Sequence, residues 1–185
     1  MSELRRDIID AAMKNFKEVG MNFTLDVIAS DLHISKKTIY KVFENKEELL
    51  LSMLDEAYEN IYLMKERILK SNLDLIDKIK QVMIALPDEY MVFDYRHIEQ
   101  LKDQYPLVHK RMSEYLNSEW DPIVKLLEEG MKEKIIKKID IPTFKQIFTS
   151  SIEGFLYSNF LYENKITYEE ALGKLIDYLV DGIKG

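Results

Sequence analysis

No cysteine occurs in the 185 residues, so disulfides, thiolate nucleophiles and cysteine zinc sites are all excluded. Histidine is nearly as scarce: His33, His97 and His109 share no metal-ligand spacing such as H-E-x-x-H. No glycine-rich loop that could cradle phosphate is present. Adjacent acids such as Glu47-Glu48 and Glu128-Glu129 read as solvated helix faces, as do the lysines from Lys132 to Lys138, which alternate with Glu133. No catalytic residue, metal or cofactor is therefore expected, and an enzyme is the weakest of the readings. No apolar run approaches the roughly 20 residues needed to cross a bilayer. The opening MSELRRDIID carries acids where a signal sequence needs an apolar core. The expected location is the cytoplasm, without a membrane partner. Strand-like alternation, internal repeats, low-complexity tracts and flexible linkers are missing too.

What is present is 46% hydrophobic and 11% aromatic side chains, enough to bury a core at this length. The net charge is −7, yet residues 1–49 are nearly balanced, with 8 basic and 9 acidic side chains. From His33 to Lys46 the chain has four lysines, Lys36, Lys37, Lys41 and Lys46, against the single acid Glu44. Local sign matters more than the total, because attraction to phosphate is screened within about 10 Å at ordinary salt.

That basic stretch lies in a recognisable pattern. Glu3 to Val19 predicts a helix burying Leu4, Ile8, Ala12, Phe16 and Val19 and stopping at Gly20. Arg5 and Arg6 at its start suit either backbone phosphate or solvent. Thr24 caps a short second helix with Leu25, Ile28, Ala29 and Leu32 inward, and a tight turn follows at His33 and Ile34. Ser35 caps a third, with Ile39, Val42 and Phe43 inward and Lys36, Lys37, Thr38, Tyr40 and Lys41 on its other faces. Two short helices joined by a tight turn, the second presenting basic and hydroxylated side chains, make a helix-turn-helix suited to a major groove. Asn45 then caps a long helix running to Leu69, with Glu48 three residues past the cap.

This N-terminal stretch resembles the tetracycline-repressor (TetR) family of transcriptional regulators. The resemblance is carried by Ile8, Ala12, Phe16, Gly20, Thr24, Ile28, Ala29, Ser35, Thr38, Tyr40, Phe43, Lys46 and Leu49. It covers roughly the first 55 residues. His33 stands where the family usually has a turn glycine, a position that tends to need positive φ, and Lys37 where a small residue is common. The resemblance implies a DNA-binding head over residues 1–46 and a helical ligand-binding and dimerisation body over 47–185. It also implies that Thr38, Tyr40 and Lys46 touch operator phosphates. Thr24, Ser35 and Lys41 complete the expected DNA surface, with Lys36 and Lys37 as the base readers.

Beyond Lys70 the reading is helical throughout, an all-α chain, with turns at Ser71-Asn72, Pro87-Asp88, Tyr105-Pro106, Asp140-Ile141-Pro142 and Asn164 to Thr167. Pro122 predicts a break in a helix otherwise running from Pro106 to about Lys137. The last two helices carry apolar surface too wide for one core, which assigns Phe148, Ile152, Phe155, Leu175 and Leu179 to a homodimer interface. Thr167 and Glu170 predict a capping box on the final one. Between them and the head lies a surplus of large adaptable side chains. Met91, Phe93, Tyr95, His97, His109, Met112, Trp120 and Phe155 are the candidate ligand-binding residues, although the same composition suits an ordinary core. The expected function is a ligand-responsive repressor released from a double-stranded operator by a small apolar or aromatic effector. The alternative is a protein-interaction module that keeps the helix-turn-helix fold without reading DNA.

Overall fold

The computed structural model describes residues 2–85, 101–118 and 120–185, and its architecture is all-helical. Eleven α-helices stand among the described residues: α1 Glu3–Val19, α2 Leu25–Asp31, α3 Lys36–Tyr40, α4 Lys46–Leu69, α5 Leu75–Ile84, α6 Leu101–Gln104, α7 Pro106–Asn117, α8 Asp121–Lys132, α9 Ile141–Leu156, α10 Phe160–Asn164 and α11 Tyr168–Ile183. An isolated bridge between Ile136 and Lys184 ties the C-terminus to the turn after α8.

The sequence places these starts with side-chain caps. Ser2, Thr24, Ser35, Asn45, Asp74, Asp140 and Thr167 each accept a hydrogen bond from the backbone N–H three residues on. Each such cap contributes about 1 kcal/mol. The capping box of Thr167 and Glu170 is formed in full. At α4 the reciprocal bond shifts by one residue: Asn45 Oδ1 accepts from Glu48 N–H, while Glu48 Oε2 accepts from the Glu44 N–H at 2.6 Å.

Terminations follow the same local logic. Gly20 adopts φ 60°, a conformation glycine reaches without Cβ strain, and its N–H donates to Phe16. His33 takes φ 53° in the turn between α2 and α3, the left-handed conformation that the missing glycine would have supplied. Pro122 falls in the first turn of α8, after α7 has ended at Asn117, so the expected break is complete. α9 ends at Leu156, and the chain restarts as α10 at Phe160.

In the head, α1 packs on α2 and α4, and α2 on α3. Ile8, Ile28, Ile39 and Phe43 are fully buried at its centre. Val19, expected inward, is exposed because the chain turns into a short 3₁₀ segment, Gly20–Asn22, directly after it. α4 is 24 residues long, roughly 36 Å at about 1.5 Å per residue. It leaves the head and packs against α5 and α7, while α5 is covered by α8 and α11, and α11 packs on α9. The buried apolar side chains of head and body form one contiguous cluster.

Candidate nucleic-acid interface and body cavity

α3 has only five residues, and a helix that short depends on its ends and its buried face. Ser35 Oγ accepts the Thr38 N–H at 3.1 Å and pairs with Thr38 Oγ1 at 2.8 Å, and the N–H groups of Val42 and Phe43 donate to Ile39 O. With Ile39 and Phe43 buried, Lys36, Lys37, Tyr40 and Lys41 are turned out to solvent. Lys36 forms an exposed ion pair with Asp26 at 2.7 Å, and that hydrogen bond raises its pKa. Thr24 is exposed, with its hydroxyl accepting the Val27 N–H. The outward face of α3 therefore gathers lysines, a phenol and capped hydroxyls on a fixed backbone.

Other polar groups of the head turn inward. Arg5 lies 4.4 Å over the Phe43 ring and donates to Val42 O and, at 2.8 Å, to Ser52 Oγ, so it braces the end of α3 against α4. Asn15 is buried and donates to Ala11 O and Asp31 Oδ2, linking α1 to the end of α2. Lys46, carried over as a phosphate contact, is half-buried, with its ammonium donating to Met21 O at 2.6 Å and Phe23 O at 2.7 Å. Desolvation lowers its pKa.

The body contains a cavity of about 120 Å³. Six helices contribute to its wall, and Tyr58, Lys65, Tyr115, Trp120, Phe148 and Tyr168 supply its bulkier side chains. Tyr58 and Tyr115 stack with centroids 3.7 Å apart and planes 9° from parallel, and the Tyr58 hydroxyl donates to Tyr115 O. Trp120 meets Phe148 edge-on at 5.6 Å and donates its indole N–H to Leu116 O. Burial pushes the Tyr168 hydroxyl far above the ordinary tyrosine range, so it stays neutral.

Of the residues expected at the ligand site, Trp120 lines this cavity, whereas His109, Met112 and Phe155 do not. His109 packs against Tyr157 at 5.0 Å, and the Tyr157 hydroxyl reaches Met112 Sδ, so these two join α7 to α9 beside the cavity. Burial pushes the Tyr157 phenol up to about 12. Phe155 stacks on Phe160 at 5.8 Å. Met91, Phe93, Tyr95 and His97 lie outside the described residues. Tyr58 and Tyr168 escaped sequence reading, the first inside the long helix that runs to Leu69 and the second inside a capping box.

Phe148 and Ile152, expected at the subunit interface, lie at the cavity wall. Both point into the cavity wall, with 9% and 2% of their surface exposed, and have almost nothing left to offer a second subunit. The outer faces of α9 and α11 carry other apolar residues: Ile147 and Tyr178 are exposed, while Phe155, Leu175 and Leu179 are half-buried. Gly154 and Gly182 on these helices have open space where a Cβ would stand. Among the described residues, no helix is long and apolar enough to cross a membrane, and no His, Asp and Glu side chains group as a metal site.

Residues 8–53 match the family model described as "Bacterial regulatory proteins, tetR family". Over 177 residues the chain is 23% identical to an uncharacterized HTH-type transcriptional regulator, YvaF of Bacillus subtilis, covering 95% of this chain and 93% of that protein. A transcriptional regulator from Saccharomonospora viridis in complex with choline superposes over 100% of both chains with a TM-score of 0.78 at 19% identity. The regulator FadR from Bacillus subtilis in complex with stearoyl-CoA does so with a TM-score of 0.62 at 20% identity, covering 96% and 98%. The chain thus carries a tetR-family helix-turn-helix head over residues 8–53, followed by a body that shares the fold of these transcriptional regulators.

Proposed function

We propose that the protein is a dimeric repressor whose heads, residues 1–46, grip successive major grooves of a pseudo-palindromic operator, and whose body, residues 47–185, binds a small effector. The observation that carries this reading is the outward face of α3. Lys37, Tyr40 and Lys41 project from a five-residue helix fixed by the Ser35 cap and the buried Ile39, which suits entry into a groove. Lys36 and Lys37, at the start of the reading helix, are the base readers, and Ser35, Thr38, Tyr40 and Lys41 position the backbone. Thr24 stands beside them at the start of α2.

The cavity supports an effector that is apolar or aromatic and small. A space of 120 Å³ compares with the engineered cavity of about 150 Å³ that holds benzene, so it suits one ring or a short branched chain. The ligands of the two structural relatives, choline and stearoyl-CoA, differ so widely that neither transfers. Dimerisation through the outer faces of α9 and α11 uses Ile147, Phe155, Leu175, Tyr178 and Leu179, with Gly154 and Gly182 allowing close approach. Such a protein works in the cytoplasm, where its DNA is.

The test is selection of duplexes from a random-sequence library, followed by binding titrations with the selected and a scrambled duplex. A regulator prefers the selected duplex by at least about a thousandfold, and single-ring compounds that change Trp120 emission release it. A protein that enriches no sequence, yet dimerises and captures another protein, is the interaction module instead.

A further inference from the structure

Lys46 occupies the first position of α4, where a cation is opposed by the helix dipole and an acid is the favoured choice. It is nonetheless half-buried there. Its bonded partners among the described residues are two backbone carbonyls, Met21 O at 2.6 Å and Phe23 O at 2.7 Å, and its ammonium lies 4.2 Å above the Phe23 ring. Those carbonyls belong to the segment that brings the chain from α1 into Thr24, the cap of α2. The first helical acceptor of α2 is Thr24 O, so Met21 O and Phe23 O lie upstream of the helical ladder and need an outside donor.

The same ammonium lies 5.6 Å from the centroid of Tyr105, the residue immediately before α7. Its neighbour Glu47 accepts the Leu107 N–H at 3.0 Å, one of the unpaired donors at the start of α7. From there α7 runs alongside α4, with Asp55 accepting from Arg111 and Tyr115 and Tyr58 stacked on Tyr115, and ends at the cavity wall. The first turn of α4 thus touches both the entry to the reading head and the near end of a helix whose far end borders the cavity.

We infer that Lys46 is a positioning residue, whose ammonium ties the Met21–Phe23 entry segment to the α4–α7 junction and takes no part in phosphate contact. The inference rests on the DNA-binding reading for its effect on affinity, but the clasp itself is testable without DNA.

Two measurements decide it. In the free protein, an NMR pH titration of lysine side chains should show Lys46 losing its proton below the other lysines. Titration together with the exposed lysines overturns the clasp. On the selected duplex, Lys46→Met should weaken binding roughly tenfold or more at every salt concentration, with the wild-type slope of log K against log salt. Lys41→Ala should instead flatten that slope by about 0.9 per phosphate lost, or about 1.8 for two subunits. A Lys46→Met variant that flattens the slope as Lys41→Ala does, or that binds like wild type, contradicts the inference. If the wild-type protein selects no duplex, the DNA reading fails while the NMR titration still decides the clasp.

Discussion

In the head, Arg5, Asn15 and Lys46 turn polar groups inward to fix backbone, and Lys37, Tyr40 and Lys41 face solvent from one short helix. In the body the aromatic rings of Tyr58, Tyr115, Trp120 and Phe148 surround a cavity, while apolar side chains such as Ile147 and Tyr178 stand on the outside. The difference follows from what each region meets. A surface for phosphate and base edges needs charge on a rigid backbone, whereas a site for a small apolar molecule needs concave walls and few polar groups. In the proposed dimer, the exposed apolar residues on α9 and α11 serve a second copy of the chain.

The largest effect expected from breaking this division is on the body's outer face. Phe155→Glu combined with Leu179→Glu removes four interfacial side chains per dimer. At about 1.5 kcal/mol for each half-buried residue this amounts to about 6 kcal/mol, or roughly four powers of ten in dissociation constant. Sedimentation at micromolar concentration should show dimer for the wild type and monomer for the variant. A monomeric wild type removes the interface from the account.

Next comes the same change made once in each region. Ile39→Ala and Ile152→Ala each empty a buried site and should each cost about 2–5 kcal/mol. Ile39→Ala should abolish operator binding while leaving the dimer intact. Ile152→Ala, at the cavity wall, should leave DNA affinity unchanged and admit larger rings, read from Trp120 emission. Equal loss of DNA binding in both variants would erase the distinction between head and body.

Smaller effects sharpen the head's chemistry. Lys37→Ala should reduce discrimination between the selected duplex and single-base variants by about 1–3 kcal/mol at the position it reads. A uniform loss on all duplexes reassigns Lys37 to phosphate. The smallest effect concerns Asp140, the cap of α9, whose carboxylate is held below its ordinary pKa by hydrogen bonds from Thr143. A depressed folded pKa gives stability that is present at neutral pH and lost as pH falls through it. The difference in Tm between wild type and Asp140→Ala should therefore shrink below about pH 4, and a constant difference would discount the carboxylate's charge.

The two regions also differed in how far sequence disclosed them. In the head, Thr24, Ser35 and Asn45 each announce a helix start through a local bond spanning three residues, so the order and starts of α2 to α4 were legible. His33 was recognisable as a positive-φ position by comparison with the expected glycine. The direction of Lys46 was not legible, because its carbonyl partners lie 23 and 25 residues earlier and no periodicity links them. In the body, Thr167 marked a helix start in the same local way. The cavity draws Tyr58, Tyr115, Phe148 and Tyr168 from four different helices, and a site assembled from such distant positions leaves no spacing to find. Phe148 and Ile152 were assigned outward for a related reason: α9 is apolar on more than one face, and hydrophobicity alone does not say which face meets the core.

The claim on which the rest depends is that the outward face of α3 reads DNA sequence, and the most direct measurement is affinity for the selected and scrambled duplexes across a salt series. Lys41 from two subunits predicts a slope of log K against log salt of roughly −1.8 or steeper, with the selected duplex favoured at every salt concentration. Equal affinity for both duplexes, or binding that does not weaken as salt rises, would contradict it.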